Sequence, residues 1–213
     1  MTLVLHEHPF AAYCWKALIA LYERGVPFER RFIGGEEDRA ALAELWPMAS
    51  IPVLVDDGVV LPESTTIVEY LDRFGDAPPL AATLEARLWD RVIDGHVMTP
   101  MQKIVADALR PEGREDPEGV AQARAELDRA YALLDDRLED VAWLAGPDFT
   151  LADCAAAPAL HYASVVHPWD DDELPHLTRY VATLTARPSV ARTIGEAREY
   201  RHVFPLPWPD HVA

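Results

Sequence analysis

Short runs of strand and helix period alternate through the first third of the chain, and longer stretches of helical period fill the rest. Thr2-Leu3-Val4-Leu5-His6 is a β-favouring run, and Pro9 marks the turn after it. From Ala11 to about Arg24, residues Trp15, Leu18, Ile19 and Tyr22 fall on one helical face, and Gly25 stops the helix. Phe28 to Ile33 reads as a second strand followed by Gly34-Gly35, and Asp38 to Trp46 as a helix ended by Pro47. Pro52-Val53-Leu54-Val55 and Val59-Val60-Leu61 flank Asp56-Asp57-Gly58, a hairpin signal. Pro62-Glu63-Ser64 then opens a helix carrying Ile67, Val68, Tyr70 and Leu71. The order β-α-β-α-β-β-α predicts a small mixed sheet covered by helices over residues 1–78.

Asp76-Ala77-Pro78-Pro79 punctuates the chain, and past it the strand signals stop. A linker at 79–83 and an all-helical unit over 84–213 are expected, with helices near 82–109, 118–140, 150–164, 174–187 and 189–199. Pro100 is expected to kink the first of these. Phe149-Thr150-Leu151-Ala152-Asp153-Cys154 marks a helix start: Thr150 caps, Asp153 reaches back from the third helical position, and Phe149 staples onto Cys154. Asp170-Asp171-Asp172-Glu173 reads as a solvated turn before a helix. The proline-rich Phe204-Pro205-Leu206-Pro207-Trp208-Pro209 cannot be helical and is expected to pack as an extended strap.

Composition narrows the function classes. The 213 residues are 50% hydrophobic, enough for a core, and no apolar run approaches the ~18 residues of a membrane span. The N-terminus lacks the basic and apolar regions of a secretory signal, so a cytoplasmic protein is expected. The formal charge of −17, with Lys16 and Lys103 the only lysines, argues against a nucleic-acid partner. Cys14 and Cys154 form neither a disulfide framework nor a zinc site. His6 and His8 alternate across a strand end without a carboxylate cluster at ligand spacing, so no metal is expected.

Candidate chemistry collects in the first unit. Pro52 opens a strand, where its missing N–H is tolerated, and a cis Ile51–Pro52 bond would turn the Ile51 backbone outward to pair with an extended peptide. At Glu63-Ser64 an amide, a hydroxyl and the positive end of a helix converge on any carboxylate placed there. Pro9-Phe10-Ala11-Ala12-Tyr13 meets a second helix N-terminus, a position that lowers the pKa of a nearby thiol. A peptide-pairing edge, a carboxylate pocket and a thiolate-stabilising helix end suit a small acidic thiol peptide, and glutathione is the candidate. Cys14, one turn into its helix, reads as a buried thiol more readily than a nucleophile. Asp153 reads as a capping residue and Cys154 as core.

With these motifs in order over nearly its whole length, the chain resembles the cytosolic glutathione S-transferase family of bacterial type. Ser50-Ile51-Pro52-Val53-Leu54 is similar to the family's cis-proline segment, Pro62-Glu63-Ser64-Thr65-Thr66-Ile67-Val68-Glu69-Tyr70-Leu71 to its γ-glutamyl-binding helix, and Phe149-Thr150-Leu151-Ala152-Asp153 to the capping motif of its helical domain. The resemblance implies a thioredoxin-like α/β N-terminal domain followed by an all-α helical bundle. It also implies a homodimer, and glutathione as co-substrate with no further cofactor. Glu63 and Ser64 would hold the γ-glutamyl end, and Ile51 with Pro52 would meet the cysteinyl backbone. A small apolar electrophile would lie against Phe10, His96, Met98 and Met101.

The chain departs from the family pattern at one chemically important place. Where bacterial members commonly carry Ser or Cys two residues after the first proline, it has Ala11, followed by Ala12. A missing hydroxyl-to-thiolate bond is worth roughly 1.5–3 kcal/mol. The backbone amides of Ala11 and Ala12 and the phenol of Tyr13 are left as thiol partners. The lysine some members carry before the cis-proline is Ser50, so the site of the glycine carboxylate is open. The resemblance implies a transferase; the alternatives are a non-catalytic binding protein of the same fold and a glutathione-dependent disulfide reductase or peroxidase.

Overall fold

Strand β1 (Leu3–Glu7) sits inside a four-stranded mixed sheet, as its buried apolar residues require. It pairs parallel with β2 (Phe28–Phe32) and antiparallel with β3 (Val53–Asp56), which pairs antiparallel with β4 (Val59–Pro62), giving the order β2-β1-β3-β4. The computed structural model describes residues 3–209 and Val212 of the protein, so the Thr2 end of the expected strand lies outside the described residues. The hairpin turn has φ of 46° at Asp57 and 86° at Gly58, the two positive values of a tight primed turn. Outer strand β2 carries Glu29, Arg30 and Arg31, whose charges discourage further strand pairing.

Helices α1 (Ala12–Arg24) and α3 (Ser64–Leu71) bury Leu18, Leu21, Ile67 and Leu71 in one core with Leu3, Leu5 and Leu54 of the sheet. Gly25 ends α1 at φ +61°, its amide donating to the Leu21 and Tyr22 carbonyls. Helix α2 (Glu36–Leu45) begins two residues before the predicted start, because the Asp38 carboxylate accepts the Gly34 and Gly35 amides, each at 3.0 Å. It packs Leu42 with Ile33 and Val53 in a smaller cluster. The whole arrangement is a thioredoxin-like domain.

The second domain is helical: α4 (Leu84–Ile93), α5 (Thr99–Ala108), α6 (Pro117–Arg137), α7 (Leu151–Val166), α8 (Pro175–Ala186) and α9 (Pro188–Ala197). A 3-10 turn (Arg198–Val203) leads into the non-helical proline-rich tail. The predicted single helix over 82–109 is instead two helices joined by a π-turn at Asp94–Met98. Pro100 lacks an N–H and crowds the carbonyl four residues before it. The ladder accordingly shifts register ahead of it: the Thr99 amide reaches the Asp94 carbonyl five residues back, and the Thr99 hydroxyl donates to the same oxygen at 2.8 Å.

Helix α7 is the axis of this domain, every residue but Ser164 being buried. Its alanines let α1 and α4 approach closely. Asp153 organises its start. The fully buried carboxylate accepts the Thr150 amide (2.8 Å), the Leu144 amide (3.1 Å) and the Tyr180 hydroxyl (2.7 Å), fastening α8 and the preceding loop to α7. Phe149 packs edge-on against Trp143 with the Arg187 guanidinium over its face.

The connection between domains is pinned from both sides. Asp72 accepts the Leu80 and Ala81 amides at 2.6 and 2.8 Å, and the Arg24 guanidinium donates to the carbonyls of Phe74, Ala77 and Pro78. The Leu80 carbonyl receives the Leu151 amide at 2.9 Å, which ties the linker to α7. Tyr180→Phe removes a hydroxyl donor to a buried carboxylate, and a loss of about 1.5–3 kcal/mol is expected. A shifted urea midpoint with the folded circular dichroism spectrum retained would register it; an unchanged midpoint would remove this bond from the fold's support.

Candidate functional site

Three recesses meet along the groove between the domains. The largest, about 700 Å³, is polar: Ser50, Ile51, Pro52, Glu63, Ser64 and Thr65 form its sheet-domain wall, and Arg91, Asp94 and Thr99 the opposite wall. The second, about 580 Å³, is apolar and is lined by Phe10, Met101, Val105, Leu109, Tyr162 and Phe204 among others. A third of about 400 Å³ lies beside Ile51 and holds His8, Arg39 and Ser50. Ile51 borders all three, and Tyr13 stands at the seam of the first two.

The polar recess is built from the start of α3. The amides of Ser64, Thr65 and Thr66 find no backbone acceptor among the described residues, the first intrahelical bond being Ile67 N–H to the Glu63 carbonyl at 3.0 Å. The Ser64 hydroxyl also has no partner there. Glu63 holds φ +68°, a conformation costing an extended residue about 1–3 kcal/mol, which sets the angle at which α3 meets the groove. The Ile51–Pro52 bond is cis, and Ile51, two residues before the start of β3, leaves its backbone without a partner among the described residues. The Ser50 hydroxyl accepts the Trp46 indole N–H at 3.1 Å.

Beneath this recess lies a buried charge cluster that sequence reasoning missed. The Lys16 ammonium, 1% exposed, contacts Asp90, Asp94 (3.0 Å) and the Thr65 hydroxyl (2.8 Å). Arg91 joins the same group through Asp90 (2.7 Å), Asp94 (3.0 Å) and Thr65 (2.6 Å). Burial and the neighbouring Asp90 hold the Asp94 carboxyl above the usual carboxylate range, against the lowering pull of Lys16 and Arg91. The signal in the sequence was a lysine on a helix otherwise apolar around it, between Trp15 and Ala17, which demanded a buried counter-charge.

At the start of α1 the structure corrects one expectation. The Ala11 amide donates to the His8 carbonyl at 2.9 Å and is not available to a ligand, whereas the Ala12 amide has no partner among the described residues. His8 shapes this turn through its Nδ1, which accepts the Phe10 amide at 3.1 Å. Its imidazole is depressed below its ordinary pKa by burial and by Arg39, so near neutral pH Arg39 is the cation of the third recess. Tyr13 makes no hydrogen bond to the described residues. Burial and the Asp94 charge push its phenol up to about 12, so the hydroxyl keeps its proton and serves as a donor.

Of the four residues expected at the electrophile side, Phe10 and Met101 line the apolar cavity, whereas His96 and Met98 do not. The π-turn rephases the helix ahead of α5, sending Met98 into the core at 1% exposure and His96 outward to Glu126, 2.9 Å away. The tail supplies what the helix lacks: Phe204 and Pro205 close the cavity, with Phe204 and Trp208 packed around Phe10 and Tyr162. The Tyr162 hydroxyl donates to the Phe10 carbonyl at 2.9 Å and locks that wall. Cys14 is fully buried and its thiol pushed up by desolvation, which makes it a poor nucleophile. Among the described residues, no cluster of three or more His, Cys, Asp or Glu could hold a metal ion, and no helix is long and apolar enough to cross a membrane.

Comparison with known proteins follows this geometry. Residues 5–79 match the family described as glutathione S-transferase, N-terminal domain, and residues 117–183 match glutathione S-transferase, C-terminal domain. The chain is similar to a stringent starvation protein A homolog of Coxiella burnetii, 30% identical over 190 residues, spanning 87% of this chain and 82% of that protein. It is equally similar to glutathione S-transferase GstB of Escherichia coli, 30% identical over 193 residues, 84% of this chain and 91% of the relative. A solved glutathione S-transferase from Methylobacillus flagellatus with GSH bound superposes at a TM-score of 0.81 with 27% identity, covering 90% of this chain and 98% of the other.

Cys14 and Cys154 are both fully buried. A thiol reagent such as Ellman's is expected to find no fast-reacting cysteine in the native protein and two after unfolding. Rapid reaction of one native thiol would reopen a protein nucleophile at the groove.

Proposed function

The chain belongs to the glutathione S-transferase family, and on that premise we propose that it joins the thiolate of glutathione to a small apolar electrophile. Residues 1–78 carry the peptide, residues 84–213 shape the electrophile side, and 79–83 link them. The observation that carries this reading is the position of Tyr13: an unpartnered, protonated phenol at the seam between a polar recess of peptide size and an apolar cavity. The γ-glutamyl carboxylate takes the Ser64 hydroxyl and the free amides at the start of α3. The cysteinyl backbone pairs with Ile51 beside Pro52, and the glycine carboxylate meets Arg39 in the third recess. The sulfur then reaches the seam, where the Tyr13 hydroxyl and the Ala12 amide stabilise the thiolate. Phe10, Met101, Tyr162 and Phe204 hold the electrophile.

With a chloronitrobenzene the balance is simple. The thiol proton passes to solvent, a carbon–sulfur bond forms, and chloride leaves with the electron pair of the broken carbon–chlorine bond. The protein contributes orientation and a lowered thiol pKa. A hydrogen bond from Tyr13 to the thiolate, at about 1.5–3 kcal/mol, outweighs the ~0.3–1 kcal/mol of the α1 dipole. One second reading has an observation in its favour: Ala11 lacks the hydroxyl of related members, as a glutathione-fold protein without transferase chemistry would.

Ser64→Ala is expected to weaken glutathione binding about tenfold by isothermal titration, equal to ~1.4 kcal/mol. Tyr13→Phe is expected to leave binding nearly intact while raising the bound-thiol pKa by about one to two units, read from thiolate absorbance, and to lower turnover to match. Glutathione bound by the wild type with no turnover of any electrophile would favour the binding-protein reading.

We also propose that the chain pairs as a homodimer with two-fold symmetry. Leu84 (81% exposed) and Leu88 stand out on α4, an apolar face beside the Arg87–Glu69 ion pair. Light scattering at micromolar concentration is expected to return twice the 23.8 kDa chain mass; a monomer mass would overturn the pairing.

A further inference from the structure

A further cavity, of about 310 Å³, lies in the helical domain between the end of α7, the 167–174 loop and α8. None of its lining residues borders the three recesses of the groove. Helix α7 serves both places: Tyr162 lines the apolar cavity of the groove, and its neighbour His161 lines this one. Most polar groups of the wall are already engaged with one another. The Trp169 indole N–H donates to the Thr178 hydroxyl at 3.0 Å, which donates in turn to Asp171 at 2.9 Å. Ser164 and Thr185 give their hydroxyl protons to the carbonyls of His161 and Val181 on their own helices, each at 2.8 Å. The exception is the His161 side chain. It is 6% exposed, and neither ring nitrogen has a hydrogen-bond partner among the described residues. It packs against the rings of Trp15 and Trp208, whose centroids lie 5.0 and 5.6 Å away. Burial, helped by the Arg201 charge, pushes its pKa down to about 3, so the imidazole is neutral and offers one N–H donor and one nitrogen acceptor. Buried polar groups ordinarily have a partner, and here the cavity is the place where a ligand can supply one.

The lining sets the chemistry of that ligand. No lysine or arginine lines the cavity to hold an anion, and the exposed Asp171 at its rim repels one. A cation at His161 would leave water to sit within reach of the Arg201 charge that already disfavours the imidazolium. An uncharged molecule meets neither obstacle. A hydroxyl can donate to the free imidazole nitrogen, while a flat ring covers the apolar surface of Trp169, Val181 and Ala182. The volume stands at the small end for ligand cavities, which suits a body of one or two rings. We propose that this cavity is a second ligand site, separate from the groove, for a small uncharged phenol whose hydroxyl bonds the His161 imidazole. The site does not depend on the glutathione reading.

The test is isothermal titration of the full chain with 2-naphthol at neutral pH, and with 2-naphthoate as the anionic counterpart. Val105→Trp fills the apolar cavity of the groove, so any naphthol held there is lost in that variant. A one-to-one component is expected to survive Val105→Trp, with naphthoate at least about tenfold weaker. Adding Ala182→Phe, which projects a ring into the new cavity from an exposed position on α8, is expected to remove that component. Adding His161→Phe instead is expected to weaken it about tenfold. His161 is buried and its variant can fail to fold, in which case Ala182→Phe and the naphthoate comparison carry the test. The site is overturned if wild type binds no naphthol, if Val105→Trp abolishes all binding, or if the component persists through Ala182→Phe. Naphthoate bound as tightly as naphthol, or a folded His161→Phe of unchanged affinity, overturns the assignment of an uncharged hydroxyl to His161.

Discussion

A single buried ammonium ties the two walls of the groove together. Lys16 projects from α1 of the thioredoxin-like domain, and its counter-charges, Asp90 and Asp94, come from the helical domain, with Thr65 of α3 completing the group. Two cations, Lys16 and Arg91, face two carboxylates, so the cluster is neutral as a unit. Removing one partner from such a pair typically costs 3–5 kcal/mol because it strands the other charge out of water. An apolar plug of equal volume could glue the domains together as firmly. It would not aim the start of α3 and the Asp94 carboxylate at the same recess, and that directional demand is what a charged joint satisfies.

The rest of the site inherits its geometry from this joint. Thr65 is the second residue of α3, so anchoring its hydroxyl fixes the first turn of that helix, with the Ser64 amide and hydroxyl facing the groove. Lys16 lies one turn beyond Tyr13 on α1, so the same anchor limits where the phenol can stand. Asp94 in turn raises the phenol's pKa and keeps it a donor. Polar and apolar recesses thus meet at one hydroxyl, and a structure with Ala11 in place of a hydroxyl-bearing residue still has a proton donor at the meeting point.

The aromatic tail works on the opposite side of the groove by packing rather than charge. Phe204 and Trp208 lie against Phe10 and Tyr162, and Arg201 sits over Trp208 at 4.9 Å from the ring centroid. Its prolines hold it out of helical conformation, which lets it cross the mouth of the apolar cavity as a wall. The apolar cavity is consequently shared between the first loop, the start of α1, α5, α7 and residues Val203, Phe204 and Pro205.

What the sequence determined alone was local and periodic. The strand and helix order, the Asp57-Gly58 turn, the Gly25 stop, the Asp153 cap and the Glu63-Ser64 helix start each depend on residues within a few positions of one another, and each signal could be read in place. Ile51, Glu63 and Ser64, the residues proposed to meet glutathione, could be singled out for that reason. Tertiary structure decided everything that depends on two distant segments meeting. The carboxylate partners of Lys16 lie 74 and 78 positions away, and Phe204 reaches Phe10 from far along the chain. His96 and Met98 were misplaced because a helical period of 3.6 was carried through a stretch that the structure winds as a π-turn. Proline announces that a ladder must break; only the packing around it decides where the break falls and which side chains it turns toward the groove.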